Sequence, residues 1–168
     1  MTSVLLWIGV AVLVLVVLGV AVWAFRTANR LNRLHVRYDL SWQALDAALA
    51  RRAVVARAIA ADAYGSSPEG RRLVALADAA ERAPRAAREA CENELSTALS
   101  MLDPDAVPAA LMTELGEAES RVLLARRFHN DAVRDTLALR DRQAVGWLRL
   151  GGHAARPRYF EIAELAQR

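Results

Sequence analysis

The chain has 168 residues and a net charge of only +3, with twenty-two basic residues set against nineteen acidic ones. That balance, without a clustered basic groove and interleaved aromatics, gives a nucleic-acid partner no support. Cys91 is the single cysteine, which excludes an internal disulfide and fits a reducing compartment.

From Val4 to Phe25, twenty-two consecutive residues carry no charge, and fifteen of them are Val, Leu, Ile or Phe. At ~1.5 Å per residue a helix of this length reaches ~33 Å, enough for the ~30 Å hydrocarbon core of a bilayer. Each of those side chains favours insertion by roughly 0.3–0.6 kcal/mol near the membrane centre. Trp7 and Trp23 bracket the run, where indoles suit the headgroup region. A cleaved signal peptide is the competing reading, and Gly19-Val20-Ala21 imitates a cleavage site. However, no Lys or Arg precedes the run, and it exceeds the ~7–15 apolar residues of such peptides. Arg26, Arg30, Arg33 and Arg37 follow directly, and positive flanks prefer the cytoplasmic side. The expectation is a single-pass segment with a very short N-terminus outside and the rest of the chain cytoplasmic. All the basic residues are arginine, which reads as a compositional habit rather than a mechanism.

Beyond the apolar run every substantial segment reads as helix. The first, Thr27 to about Tyr64, continues without a Gly or Pro and carries Leu31, Leu34, Tyr38, Trp42, Leu45, Leu49, Ala56 and Ile59 on one side. Spacings of three and four put that side into a core, with Trp42 buried between helices. The four arginines form a separate stripe that can face lipid headgroups. Gly65-Ser66-Ser67-Pro68 breaks the helix, with Ser67 suited to an N-cap and Pro68 to the first helical position. The second stretch runs to about Leu102 with Leu73, Leu76, Ala77, Ala80, Ala87, Cys91, Leu95, Ala98 and Leu102 aligned. Pro84 lies in its middle and either kinks it or divides it into a tight hairpin. After Asp103-Pro104-Asp105-Ala106-Val107-Pro108, a third helix of about forty residues ends near Gly151-Gly152. Its stripe is Leu111, Leu115, Ala118, Val122, Ala125, His129, Ala132, Thr136, Gln143 and Trp147. The tail, containing Arg156-Pro157-Arg158, starts extended. Three arms of ~57, ~52 and ~63 Å would pack as an elongated up-and-down bundle, or four helices if Pro84 is a turn.

The residues that could carry chemistry form no constellation. His35, His129 and His153 pair with no His or Cys at metal-ligand spacing. His129 on an apolar stripe reads as a hydrogen-bonded core histidine. Cys91 on another reads as packing, and a Cys91–His129 nucleophile pair lacks a third orienting group. Ser96 and Ser100 lie inside a helix without a sharp nucleophile turn. The glycines make no phosphate-cradling loop. Glu114, Glu117 and Glu119 read as a solvated face, with Glu117 and Arg121 an i,i+4 pair. Asn93 and Asn130 read as hydrogen-bonding groups that fix helix register. No catalytic, cofactor-binding or metal-binding residue is assigned.

Several motifs together resemble the LemA family of bacterial membrane proteins. These are Trp42-Gln43-Ala44-Leu45-Asp46 with Leu49 and Arg51-Arg52; Asn93-Glu94-Leu95-Ser96-Thr97-Ala98-Leu99; and Glu119-Ser120-Arg121-Val122 with Ala125-Arg126-Arg127-Phe128-His129-Asn130-Asp131-Ala132-Val133. A late Tyr159-Phe160-Glu161 matches the way such chains close. The chain departs from the pattern at His129, where Tyr is usual, at Thr136-Leu137 in place of a Tyr-Asn pair, and at Gly151-Gly152 where a Pro usually follows the helix. The resemblance implies a single-pass anchor, a cytoplasmic helical bundle and no established enzymatic activity.

The sequence is thus read as all-α. Residues 1–25 form a transmembrane anchor, 26–152 a helical bundle and 153–168 a C-terminal tail. The expected function is a non-enzymatic scaffold that recruits an unknown protein partner at the membrane, with no cofactor and no small-molecule substrate. The alternatives are an anionic-lipid-binding module acting through the arginine stripe and an enzyme dependent on Cys91.

Overall fold

The computed structural model describes residues 2–141 and 156–162. The protein is an all-α helical bundle, and no strand occurs among the described residues. Helix α1, Thr2–Ile59, is continuous and passes into one π-helical turn, Ala60–Tyr64. Among the described residues three further helices follow: α2, Pro68–Arg82; α3, Arg85–Ser100; and α4, Ala109–Arg140. Two compact units are distinguished: Met1–Asp39 with Ala132–Pro157, and Leu40–Asp131 with Arg158–Arg168.

The second unit holds most of the core. Its helices run up, down, up and down, as their cross-links show. Arg51 meets Glu114 and Leu45 packs with Val122, so α1 and α4 are antiparallel. Asp46 meets Arg88 and Arg52 meets Glu92, so α1 and α3 run parallel. Arg57 of α1 reaches both Asp78 and Glu81 of α2. One interior cluster gathers Val55, Ile59, Leu73, Ala77, Leu95, Leu99, Leu115 and Ala118, and a second gathers Leu45, Leu49, Val122 and Phe160. Apart from Val55, Leu99 and Phe160, these are positions that the spacings of three and four select.

Pro84 divides the second stretch. Residues 83 and 84 are extended and the chain reverses, so of the two arrangements the sequence left open, three long arms or four helices, the described residues take the second. The proline removes the N–H that would have continued α2. The Ala80 carbonyl it would have met accepts from the Ala83 N–H at 3.3 Å instead, and the Glu81 carbonyl at the helix end accepts from Arg88 Nη1 at 3.0 Å, so the next helix satisfies the end of this one.

The turn into α2 follows its residues closely. Ser67 Oγ accepts from the Gly70 N–H at 3.0 Å, and Pro68 occupies the first turn. Gly65 has φ +54°, a conformation that favours glycine. A Cβ on Gly70 would lie 2.6 Å from the Gly65 carbonyl oxygen, so this close approach needs its glycine.

In the first unit Leu31, Leu139 and partly buried Leu34 form a small cluster, and Arg37 pairs with Asp135 at 3.1 Å. The N-terminal part of α1 is long and apolar enough to cross a membrane. Its large side chains point outward: Leu6, Trp7, Ile8, Leu13, Leu15, Leu18, Trp23 and Phe25 are all exposed. Gln143, Trp147, Gly151, Gly152 and His153, which the sequence placed at the far end of the third helix and in the tail, lie outside the described residues.

Candidate functional site

Within the second unit, charge is buried where the periodicity predicts only apolar packing. Arg52 follows Leu49 by three and precedes Ala56 by four, so it shares their inward face. On α3, Arg88, Glu92 and Ser96 recur every fourth residue and face it. Arg52 Nη2 donates to Glu92 Oε2 at 2.7 Å, and its Nη1 donates to Ser96 Oγ at 3.0 Å. Arg88 Nε donates to the other carboxylate oxygen at 2.9 Å, and Arg88 Nη1 meets Asp46 at 3.2 Å. Glu92 is 0 % exposed and Arg52 3 %. One carboxylate therefore answers two buried guanidiniums, each held by further acceptors, as a buried ion pair requires.

Glu119 of α4 belongs near this network and not to a solvated face. Its Oε1 and the Nε of Arg52 are buried without a hydrogen-bond partner. Burial raises the Glu119 pKa, and the charge of Arg52 opposes the rise. The helix-face reading holds for its neighbours: exposed Glu114 pairs with Arg51, and exposed Glu117 with Arg121 at 3.4 Å. The difference is position, because 119 lies one residue beyond the inward Ala118 and 114 and 117 do not.

A second constellation surrounds His129. The imidazole is 1 % exposed, its Nδ1 shares a hydrogen bond with Ser41 Oγ at 3.1 Å, and its ring meets Trp42 edge-on at 5.5 Å between centroids. The ring also hydrogen-bonds the Arg158 backbone; burial, then the Arg85 charge, lowers its pKa, and that backbone bond opposes the shift. Trp42, expected to be buried between helices, is partly buried and packs against the second core cluster. One edge packs on Phe160 at 5.7 Å, and the Arg85 guanidinium at the start of α3 lies 4.1 Å from its ring centroid, so Trp42 sits between α3 and α4 with a cation stacked on it. Asn130 does not bridge two helices. Its Oδ1 accepts from the Phe160 N–H at 2.9 Å and its Nδ2 donates to the Phe160 carbonyl at 3.1 Å, pinning the tail instead.

The other residues singled out from the sequence take ordinary places. Cys91 is half-buried and packs against the first core cluster. Ser96 accepts from Arg52, and Ser100 Oγ donates to the Thr97 carbonyl at 2.7 Å. His35 Nδ1 meets the Leu31 carbonyl at 2.9 Å. Arg26, Arg30 and Arg33 are exposed, in line with their separate stripe. A cleft of ≈ 410 Å³ beside α2 and α3 is lined by Tyr64, Arg72, Glu94 and Met101 among others. Among the described residues, no group of three or more His, Cys, Asp or Glu could hold a metal ion.

The buried network was missed from the sequence. Its signal is a charge on an apolar stripe, at Arg52 and again at Glu92. Comparison with family models, curated proteins and solved structures finds no match to the chain.

Proposed function

We propose that the protein is a membrane-tethered helical scaffold of LemA type that recruits a protein partner at the cytoplasmic face of the cell membrane, without chemistry of its own. The observation that carries this reading is α1: one uninterrupted helix begins with an outward-facing apolar segment and goes on to supply Leu45, Leu49, Val55 and Ile59 to a bundle core. An apolar surface that no described residue covers is suited to lipid. The arginines that follow favour a cytoplasmic bundle.

The LemA-like motifs support the family reading in a second way. Trp42 touches Phe160, Arg52 donates to Ser96, and Asn130 clamps Phe160. Residues from separate motifs thus meet in space. The polar and ionisable side chains gathered at Glu92 and His129 are bonded to helices and tail, which is the work of holding a shape.

A reporter fused after Arg168 and crosslinking in intact membranes test the proposal together. A cytoplasmic reporter and a reproducible crosslinked partner are expected; a reporter on the outer side would overturn the topology. The arginine stripe favours one second reading, an anionic-lipid-binding module, because Arg26, Arg30 and Arg33 are exposed beside the apolar segment. Replacing Arg26, Arg30, Arg33 and Arg37 by Gln separates the two readings. Loss of anionic-lipid enrichment around the purified protein supports the lipid reading, whereas unchanged partner crosslinking supports the scaffold.

A further inference from the structure

The segment Arg158–Ile162 has no regular secondary structure, and side chains rather than a neighbouring backbone satisfy its main chain. Asn130 engages both the N–H and the carbonyl of Phe160. The imidazole of His129 bonds the Arg158 backbone, and the Glu161 N–H donates to Glu89 Oε2 at 3.3 Å. Only Phe160 is fully sunk, 3 % exposed, in a socket of Trp42, Leu45, Leu49 and Val122, while Tyr159 is exposed. Arg126 stands 3.8 Å from the Glu161 carboxylate.

This is how a groove grips a short linear peptide. A two-pronged amide fixes the backbone whatever the peptide's side chains, one pocket reads an aromatic ring, and one cation reads the acid after it. From this geometry we infer that the groove formed by α1, α3 and α4 in this unit is a peptide-recognition site whose resting occupant is the protein's own Arg158–Ile162. The partner it fits is an extended segment bearing Phe followed by Glu or Asp. The inference rests on the scaffold reading and specifies the partner. It also supplies regulation, because a tethered occupant competes at an effective concentration on the order of millimolar.

The test uses the full chain in detergent micelles and a fluorescein-labelled peptide of residues 156–168, read by anisotropy. Three proteins are titrated: the native chain, Phe160→Ala, and a chain carrying a protease site between Gly151 and Gly152 that is cut after folding. Saturable binding is expected for the last two, at least ten-fold weaker binding for the native chain, and none for a peptide whose Phe is replaced by Ala. Asn130→Ala in the cut chain should weaken binding at least ten-fold while helicity is retained. If Phe160→Ala does not fold, the cut chain decides. Equal binding to the native and cut chains, or no binding to a folded cut chain, overturns the inference. A partner that still crosslinks in membranes to a chain failing this test leaves the scaffold standing and removes only the groove; loss of both removes both.

Discussion

Replacing Glu92 by Gln keeps the shape of the side chain and removes the one fully buried negative charge that Arg52 and Arg88 share. Truncating one partner of a buried ion pair costs ~3–5 kcal/mol, because the other charge is left in a poor solvent. Two features pull the value to the low end. Arg52 keeps its bond to Ser96 and faces Glu119, and Arg88 keeps Asp46 and the Glu81 carbonyl. About 3 kcal/mol is therefore expected, a large part of the ~5–15 kcal/mol that stabilises a typical domain. At about 4 °C per kcal/mol the melting temperature should fall by about 12 °C. Thermal melts followed by far-UV circular dichroism in detergent measure it. Glu117→Gln is the control, since its exposed partner Arg121 makes that pair worth only ~0.3–0.5 kcal/mol. High salt should erase the control's effect and leave that of Glu92. If the two variants melt within a degree or two of each other, the buried network does not hold the helices and the argument fails.

Glycine supplies a contrast of sign. Gly70→Ala forces a Cβ against the Gly65 carbonyl and should destabilise, whereas Gly116→Ala meets nothing within 4 Å on an α4 turn and should stabilise by ~0.5–1 kcal/mol in urea titrations. His129 should make stability depend on pH. Its pKa in the folded protein lies below the unfolded value of ~6.5, so the unfolded chain takes the proton first on acidification. Its contribution is complete above pH ~6.5 and is lost as pH falls from there through the folded value. Glu119, with a raised pKa, works in the opposite sense, so the readout is the difference between native and His129→Gln melting curves, which should widen at high pH. A pH-independent difference would refute the assignment. A double-mutant cycle between Trp42→Ala and Phe160→Ala should return a coupling of ~0.5–1.5 kcal/mol for their edge-on contact; additivity would mean that the ring contact contributes nothing.

The helices were legible because their apolar residues recur at the helical period, and the Ser67-Pro68 start was legible because the cap is a local bond. Pro84 was legible only as a choice. A proline announces a missing donor but not whether the chain bends or reverses, and the residue that seals the reversal, Arg88, acts from the next helix. Arg52 and Glu92 were illegible for a different reason. A single charge on an apolar stripe reads as the edge of the stripe, and the partner that makes it interior lies 40 residues away. Glu119 reads as surface for the same cause, since Glu114 and Glu117 just before it are exposed. Asn130 showed a polar group in an apolar setting without showing that its partner is backbone, 30 residues on.

The placement of Phe160 bears on how the protein is made. Its socket is built from Leu45 and Leu49, which emerge from the ribosome roughly 115 residues earlier. At ~5–20 residues per second the interval is about 6–23 s. The α2–α3 hairpin can form early in that time, since its partners are neighbours in sequence. The second core cluster, even with Val122 of α4 in place, stays incomplete until translation has passed Phe160. A nascent chain halted after α4 would therefore present an unfilled apolar slot beside a completed hairpin, a state that chaperones and proteases can distinguish from the finished protein.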